Sequence, residues 1–370
     1  PEKIAIIIGH KSFAHHIWNE LSGLYRLYKN NLLERIDKVF VLRETLGEIT
    51  QIFPEISPKT IERIDPIKNN MDDLEIQLKI FQDTISNNYF IVQVGDRFIK
   101  NELANRVYQV AVNNCSSDVL DQVKQARSKH FPLLWISIRV DHRTWVNQVD
   151  GFSNIINSLA DKLPNLGVVF DGFSPPADNY LLGWYDQLIR CEQEIVIQII
   201  QRISNLNIGV FNTVGCSIWE SNIWANAIDL YLAHHGTIQH KVGWLANKPG
   251  IVHSNTKVLT AATNYNYYAK NVRESGIKPI YISPIHVRDI NLETNNLFSD
   301  WDNYDIDWTI LENEVFKLAK SIERRKTLIG KLLDRGENLL RNPLIIAEET
   351  KQKVKQILRN IIRSLDFSKI

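Results

Sequence analysis

At 370 residues, with 44% hydrophobic and 23% charged residues, the chain has the make-up of a soluble globular protein large enough for two ordinary domains. Lys and Arg number 43 against 42 Asp and Glu, a formal net charge of +1, so a nucleic-acid polymer is not the expected partner, although a local basic pocket for one small anion is open. Three widely spaced cysteines, Cys115, Cys191 and Cys216, give neither a disulfide framework nor a zinc ribbon and fit a reducing, cytoplasmic setting.

Lys3–Ile8 (KIAIII) is an unbroken apolar run, the signature of a strand buried on both faces of a parallel sheet. The turn Gly9-His10-Lys11-Ser12 leads into helical apolar spacing from Phe13 to about Lys29. Asp37–Leu42 and Tyr89–Val94 read as further strands. Between them, Ser57–Asp65 and Asn70–Asn87 read as helical or mixed. Gly95-Asp96 then precedes a helix from about Asn101 to Asn113. The pattern restarts with strand Leu133–Val140, the polar turn Asp141-His142-Arg143 and a helix from about Gly151 to Lys162. Gly167–Phe170, Asn207–Asn212, Leu230–Ala233, Ile251–His253 and Pro279–Ser283 are the remaining expected strands, the last closing the series. Helices are expected over Tyr185–Ser204, Trp219–Ala227 and, after about Thr309, Ile310–Leu340 and Leu344–Leu365. The fold class that follows is α/β, two tandem Rossmann-like domains with a C-terminal helical extension. The expected units are 1–130, 131–308 and 309–370. No apolar run approaches the roughly 18 residues of a membrane span. The opening run reads as a strand, not a signal peptide, and peripheral contact with the inner face of a membrane is compatible with both.

Ligands of open α/β sheets bind outside the carboxyl ends of the strands, and that rule selects the strand-to-helix turns. In the second half it picks out Arg139, Asp141 and Arg143, then Asp171, then Gly215, Ser217 and Glu220, then His235, Gly236, Thr237 and His240. These types suit a nucleoside diphosphate: forked arginines and backbone N–H groups for phosphate, a carboxylate for ribose hydroxyls. Glu220 is also placed to be the cap partner of its helix. His234 and His235 end a strand, so alternation sends them to opposite faces and one of them at most sees the ligand. With His240 they lack metal-ligand spacing, and no metal is expected.

In the first half the rule picks His10, Lys11 and Ser12 on the acceptor side, and His15, His16 and Asp96 as candidate bases. Glu20, four residues after His16, is placed to orient its ring, and Asn19 stands in the same relation to His15. No G-x-G-x-x-G follows the first strand and no G-x-x-x-x-G-K-[ST] occurs, which removes the main signatures of dinucleotide oxidoreductases and P-loop enzymes. Asp305-Ile306-Asp307 lies in an aromatic, acidic linker before a helix and reads as capping.

The two-domain rhythm with a helical end resembles the GT-B class of glycosyltransferases. The second half (LWISIRV, GVVFDG, NIGVFN with TVG, and DLYLAHHGTIQHKVGWLANKPGIVHS) is similar to bacterial heptosyltransferase-like enzymes. Phe13-Ala14-His15-His16-Ile17-Trp18-Asn19-Glu20 resembles the N-terminal H-(W/F)-x-x-E helix of a second GT-B group. The resemblance implies a first domain for the acceptor and a second for a nucleotide sugar. It also implies a Gly236-Thr237 turn at the donor pyrophosphate and a ligand-facing His240, with histidine standing where relatives carry an acid before the turn. It implies transfer of a sugar to a glycan, lipid-linked or protein acceptor, as in polysaccharide biosynthesis, without a resident cofactor, the nucleotide sugar being a substrate. The rival functions on the same fold are a sugar-nucleotide epimerase and a non-catalytic partner of a transferase.

Overall fold

The computed structural model describes residues 3–64, 73–178, 183–204, 207–265, 272–290 and 301–341, with Gln356. Two parallel sheets organise them. The first joins β1 (Lys3–Ile8), β2 (Lys38–Val41), β3 (Ile61–Arg63) and β4 (Tyr89–Val92) in the order β3-β2-β1-β4. The second joins β5 (Leu133–Ser137), β6 (Gly167–Asp171), β7 (Gly209–Asn212), β8 (Leu230–His234), β9 (Gly250–His253) and β10 (Ile280–Tyr281) in the order β10-β9-β8-β5-β6-β7. All their pairings are parallel. The central strands β5, β6, β8 and β9 are buried along their whole length, which is why they are written as continuous apolar runs. The chain is thus an α/β protein with two Rossmann-like sheets.

Several elements depart from expectation, among them the helices Ile49–Ile52 and Thr256–Tyr265, which fall where no element is expected. Ile61–Arg63, read as helical or mixed, forms edge strand β3; three residues with one apolar member carry no period. Helix Ser117–Lys129 falls where the apolar spacing predicts no element. Pro279–Ser283 does not end the strand series, because β11 (Val287–Ile290) and β12 (Asn303–Ile306) form an antiparallel pair beyond it. The acidic linker is therefore partly a strand. Asp307 does cap, accepting the Thr309 N–H at 2.9 Å, whereas Asp305 ties down Trp145 and Asn147 through their side-chain N–H groups. The expected helix Leu344–Leu365 lies outside the described residues apart from Gln356. Among the described residues no helix is long and apolar enough to cross a membrane.

Each sheet is covered on both faces. Helix Asp73–Ser86 packs Ile76 and Ile80 on Ala5 and Phe40 of the first sheet and on Ile64 just after β3, and helices Phe13–Lys29 and Asn101–Asn114 cover its other face. Helices Gln148–Lys162, Trp184–Gln201 and Trp308–Arg341 cover one face of the second sheet, with Leu311, Val315 and Ile322 of the last in the core. Its other face is lined by Val123 and Ala126 of Ser117–Lys129, by Ala111 and by helix Ile218–Ala227. The halves also exchange backbone bonds: Ala177 N donates to Thr45 O and Glu274 N to Ile99 O, at 3.0 and 2.9 Å.

Candidate functional site

In the first sheet the chain runs outward from β1 through β2 to β3 and then returns to place β4 on the other side of β1. The order therefore reverses between β1 and β4. In the second sheet it reverses between β5 and β8. A crevice opens outside the carboxyl ends of the strands at such a point, because the two loops leave in opposite directions. The loops concerned are Gly9–Ser12 and Gly95–Arg97 in one sheet, and 138–143 and His235–Thr237 in the other. Helix Phe13–Lys29 and the helical segment Thr237–Leu245, which follow these loops, meet across the seam, where the Trp18 and Trp244 rings lie 5.4 Å apart. Both contain a π-helical stretch, His16–Leu21 and Lys241–Leu245, a distortion that recurs at functional sites.

On the first side the two neighbouring histidines take different places. The buried His16 donates from Nδ1 to Glu20 Oε2 at 2.7 Å, and its buried Nε2 has no partner among the described residues. Glu20 also accepts the N–H groups of Gly9 and His10 at 3.0 Å, so it fixes the turn after β1. Burial raises the Glu20 carboxyl, but these hydrogen bonds outweigh it and hold the group below its ordinary range. His15 is exposed, with its ring 4.6 Å from that of His10. Asn19 Nδ2 donates to Asp96 O at 3.0 Å, which turns Asn19 Oδ1 toward His15 Nδ1 at 2.9 Å. An amide oxygen only accepts, so His15 donates from Nδ1, and Nε2 is the ring nitrogen that Asn19 leaves unengaged. Asp96 acts here through its backbone, while its carboxylate accepts the Arg97 N–H at 2.7 Å. His10 Nδ1 accepts the Ser12 N–H at 3.0 Å, and Lys11 is exposed beside it.

On the second side Arg139 is held in place. Its Nε donates to His142 O and pairs with Asp141 at 2.7 Å, and Nη2 meets His142 Nε2 at 2.9 Å. Gly236 has φ +151°, a conformation that side chains rarely adopt, and a Cβ there would lie 3.1 Å from Arg139 Nη1. The glycine thus lets the guanidinium sit against the turn. Arg143, itself at φ +57°, completes the cationic loop. His235 is driven down to about 3 by burial, and by Arg143 and Arg139, so its imidazole is neutral. His234 and His240 are also held well below their ordinary value by burial, His234 further by Arg139 and His240 by its histidine neighbours. His240 stacks on Trp244 with ring centroids 3.6 Å apart, and Thr237 is exposed at the mouth.

The remaining candidates lie at the ends of β6 and β7. Asp171 is fully buried and engaged by Lys241 Nζ at 2.6 Å, Thr213 Oγ1 at 2.7 Å and Ser221 Oγ at 3.0 Å. Lys241 donates further to Gly172 O, Ser174 Oγ and Ser221 Oγ. This pair pins the segment Thr237–Leu245 to the ends of the neighbouring strands. Gly215 turns at φ +80°, and Ser217 caps helix Ile218–Ala227 by accepting the Glu220 N–H, while the Glu220 carboxylate faces the Cys216 thiol. Sequence reasoning passes over Lys241, because a lysine inside an apolar helix reads as surface, and gives Asn19 no weight of its own, because its role depends on Asp96. It also passes over the hydroxyls of Ser137 and Tyr304, which hold His234 and His253 at 2.9 and 2.6 Å. Among the described residues no three His, Cys, Asp or Glu side chains converge as a metal site.

Next to this cluster the buried Glu192 is pushed up to about 8 by burial, with Asp171 adding to the shift and the Phe173 N–H opposing it. A carboxyl raised on folding contributes stability that is full below its unfolded pKa and is lost as pH climbs through the folded value. Glu192→Gln is therefore expected to raise the melting temperature at about pH 9 and to leave it nearly unchanged at about pH 5. Melts across that range check this; a parallel offset at every pH would show the carboxyl to be ionised throughout.

No protein-family model matches the chain, and no curated protein matches it in sequence. Among solved structures it is similar to a glycosyl transferase family 9 protein from Veillonella parvula, with TM-score 0.47 and 9% identity over 87% of this chain and 97% of that one. It is similar to the Escherichia coli ADP-heptose LPS heptosyltransferase II, with TM-score 0.44 and 11% identity over 87% and 99%. A UDP-GlcNAc 2-epimerase from Neisseria meningitidis, bound to UDP-GlcNAc, gives 0.36 and 13% over 68% and 82%.

Proposed function

We propose that this protein is a GT-B glycosyltransferase that moves a sugar from a nucleoside diphosphate donor to a hydroxyl of a glycan, lipid-linked or protein acceptor. The observation that carries this reading is the pairing of two strand-order reversals across one seam, cationic on one side and bearing the exposed His15 imidazole on the other. In this reading His15 Nε2 takes the proton of the acceptor hydroxyl as its oxygen bonds to the anomeric carbon. The bond from that carbon to the diphosphate breaks, and the charge on the leaving phosphate is met by Arg139, Arg143 and the N–H groups of the Gly236-Thr237 turn. Their pre-set geometry supports this role, because Asp141 and His142 hold the Arg139 guanidinium and Gly236 leaves it room against the turn. His16 and Glu20 hold the turn that aims the base, and Asp171 with Lys241 holds the segment beneath the phosphates.

The test is a thermal-shift screen against UDP, GDP, ADP, CMP and their sugars. One nucleoside diphosphate is expected to stabilise the protein, by roughly 2.7 kcal/mol at a hundredfold excess over its Kd. Absence of any shift at millimolar ligand sinks the proposal. Release of nucleoside diphosphate that requires an added acceptor distinguishes transfer from epimerisation, which alters the donor alone.

A further inference from the structure

Helix Asp73–Ser86 carries two apolar faces, and the fold covers one of them. Ile76 and Ile80 sit on the first sheet. On the opposite side Leu74, Leu78, Phe81 and Ile85 are 62%, 50%, 60% and 64% exposed. At about 100° per residue these four fall within one narrow stripe, and their 4-3-4 spacing is that of successive d and a positions in a coiled coil. Four side chains this exposed present on the order of 400 Å² of apolar surface, the size of the largest patch on a typical monomer. That is about half of the ~800 Å² per partner that a standard interface buries, and the polar flanks of the same helix lie next to it.

We infer that this face is the interface of a two-fold symmetric dimer, in which a second copy of the chain lays its own Asp73–Ser86 antiparallel along the first. The spacing reads the same in both directions, which an isologous contact requires. A two-fold axis between Leu78 and Phe81 sets Leu78 of one copy against Phe81 of the other, and Leu74 against Ile85. In that register Glu75 meets Gln82 and Gln77 meets Thr84, so no like charges are opposed. Lys79, the helix's single lysine, bonds to Glu62 and Asp83 at 2.9 and 2.8 Å. The rim that remains, with the exposed Glu75, is acidic and unsuited to the anionic surface of a membrane.

Sedimentation of the full chain over a concentration series tests this. The chain is expected to be a dimer at roughly 100 μM, where a complex of micromolar Kd is mostly associated. Leu78→Glu and Phe81→Lys, each at an exposed position, are each expected to weaken association at least about 100-fold by burying an unpaired charge, with a melting temperature equal to that of the wild type once both are diluted to monomers. Mixing these two variants is expected to restore a dimer, because the carboxylate introduced in one copy then faces the ammonium introduced in the other. A wild-type chain that stays monomeric overturns the inference, and flotation of that monomer with vesicles would give the face to lipid. A dimer indifferent to both substitutions, or a mixture that fails to associate, overturns it as well.

Discussion

Lys241→Met is expected to destabilise the protein by about 3–5 kcal/mol, because it leaves the Asp171 carboxylate buried without its cation. Both side chains are enclosed, at 4% and 0% exposure, so water cannot replace the lost partner. The hydroxyls of Thr213 and Ser221 still donate to Asp171, but two neutral donors do not offset a buried charge. The pair is also a clamp between the strand end at Asp171 and the segment Thr237–Leu245, so its loss loosens the turn at Gly236. Urea unfolding of Lys241→Met, of Asp171→Asn and of the double variant measures this. The double variant is expected to lose less than the sum of the singles, since the orphaned charge is gone. A loss below about 1 kcal/mol for Lys241→Met would mean that the charges are effectively solvated and the clamp is not one.

His15→Ala is expected to lower turnover by roughly 10²–10⁴-fold while leaving the affinity for the nucleotide unchanged, which is the size of effect that removal of a general base produces. Asn19→Leu should reproduce a smaller part of that loss, because it removes the acceptor that keeps the His15 proton on Nδ1. His16→Ala differs in kind: it takes a hydrogen bond from Glu20 and empties a buried site, so stability should fall along with activity. Steady-state kinetics beside nucleotide titrations separate these outcomes. Full turnover in His15→Ala with none in a folded His16→Ala would move the base to the buried ring.

The division between the two histidines is partly legible in the chain. Phe13, Ile17, Leu21 and Leu24 mark one face of the helix, and His16 falls on it while His15 does not. What hides the rest is the dependence of role on neighbours distant in sequence. Asn19 is oriented by the Asp96 carbonyl, and the room for the Arg139 guanidinium against the turn depends on a glycine nearly a hundred positions later. The strands are easiest to read where burial on both faces forbids polar residues, as in KIAIII and LLWIS. They are hardest at the edges, where β3 is three residues long and β11 and β12 are four residues each with half of them polar. The reversal of strand order that gathers the site is a property of pairing, and pairing leaves no mark on any one segment.

Helix Asn101–Asn114 serves both halves: Leu103, Val107 and Val110 lie in the core of the first sheet, and Ala111 in that of the second, against helix Ile218–Ala227. As the chain leaves the ribosome, the first sheet has all its strands once Val92 has emerged. One side of this helix, however, stays bare until Ala227 has been made. The N-terminal half therefore spends its early life with an unfinished wall, and it becomes fully closed only when the C-terminal half folds against it.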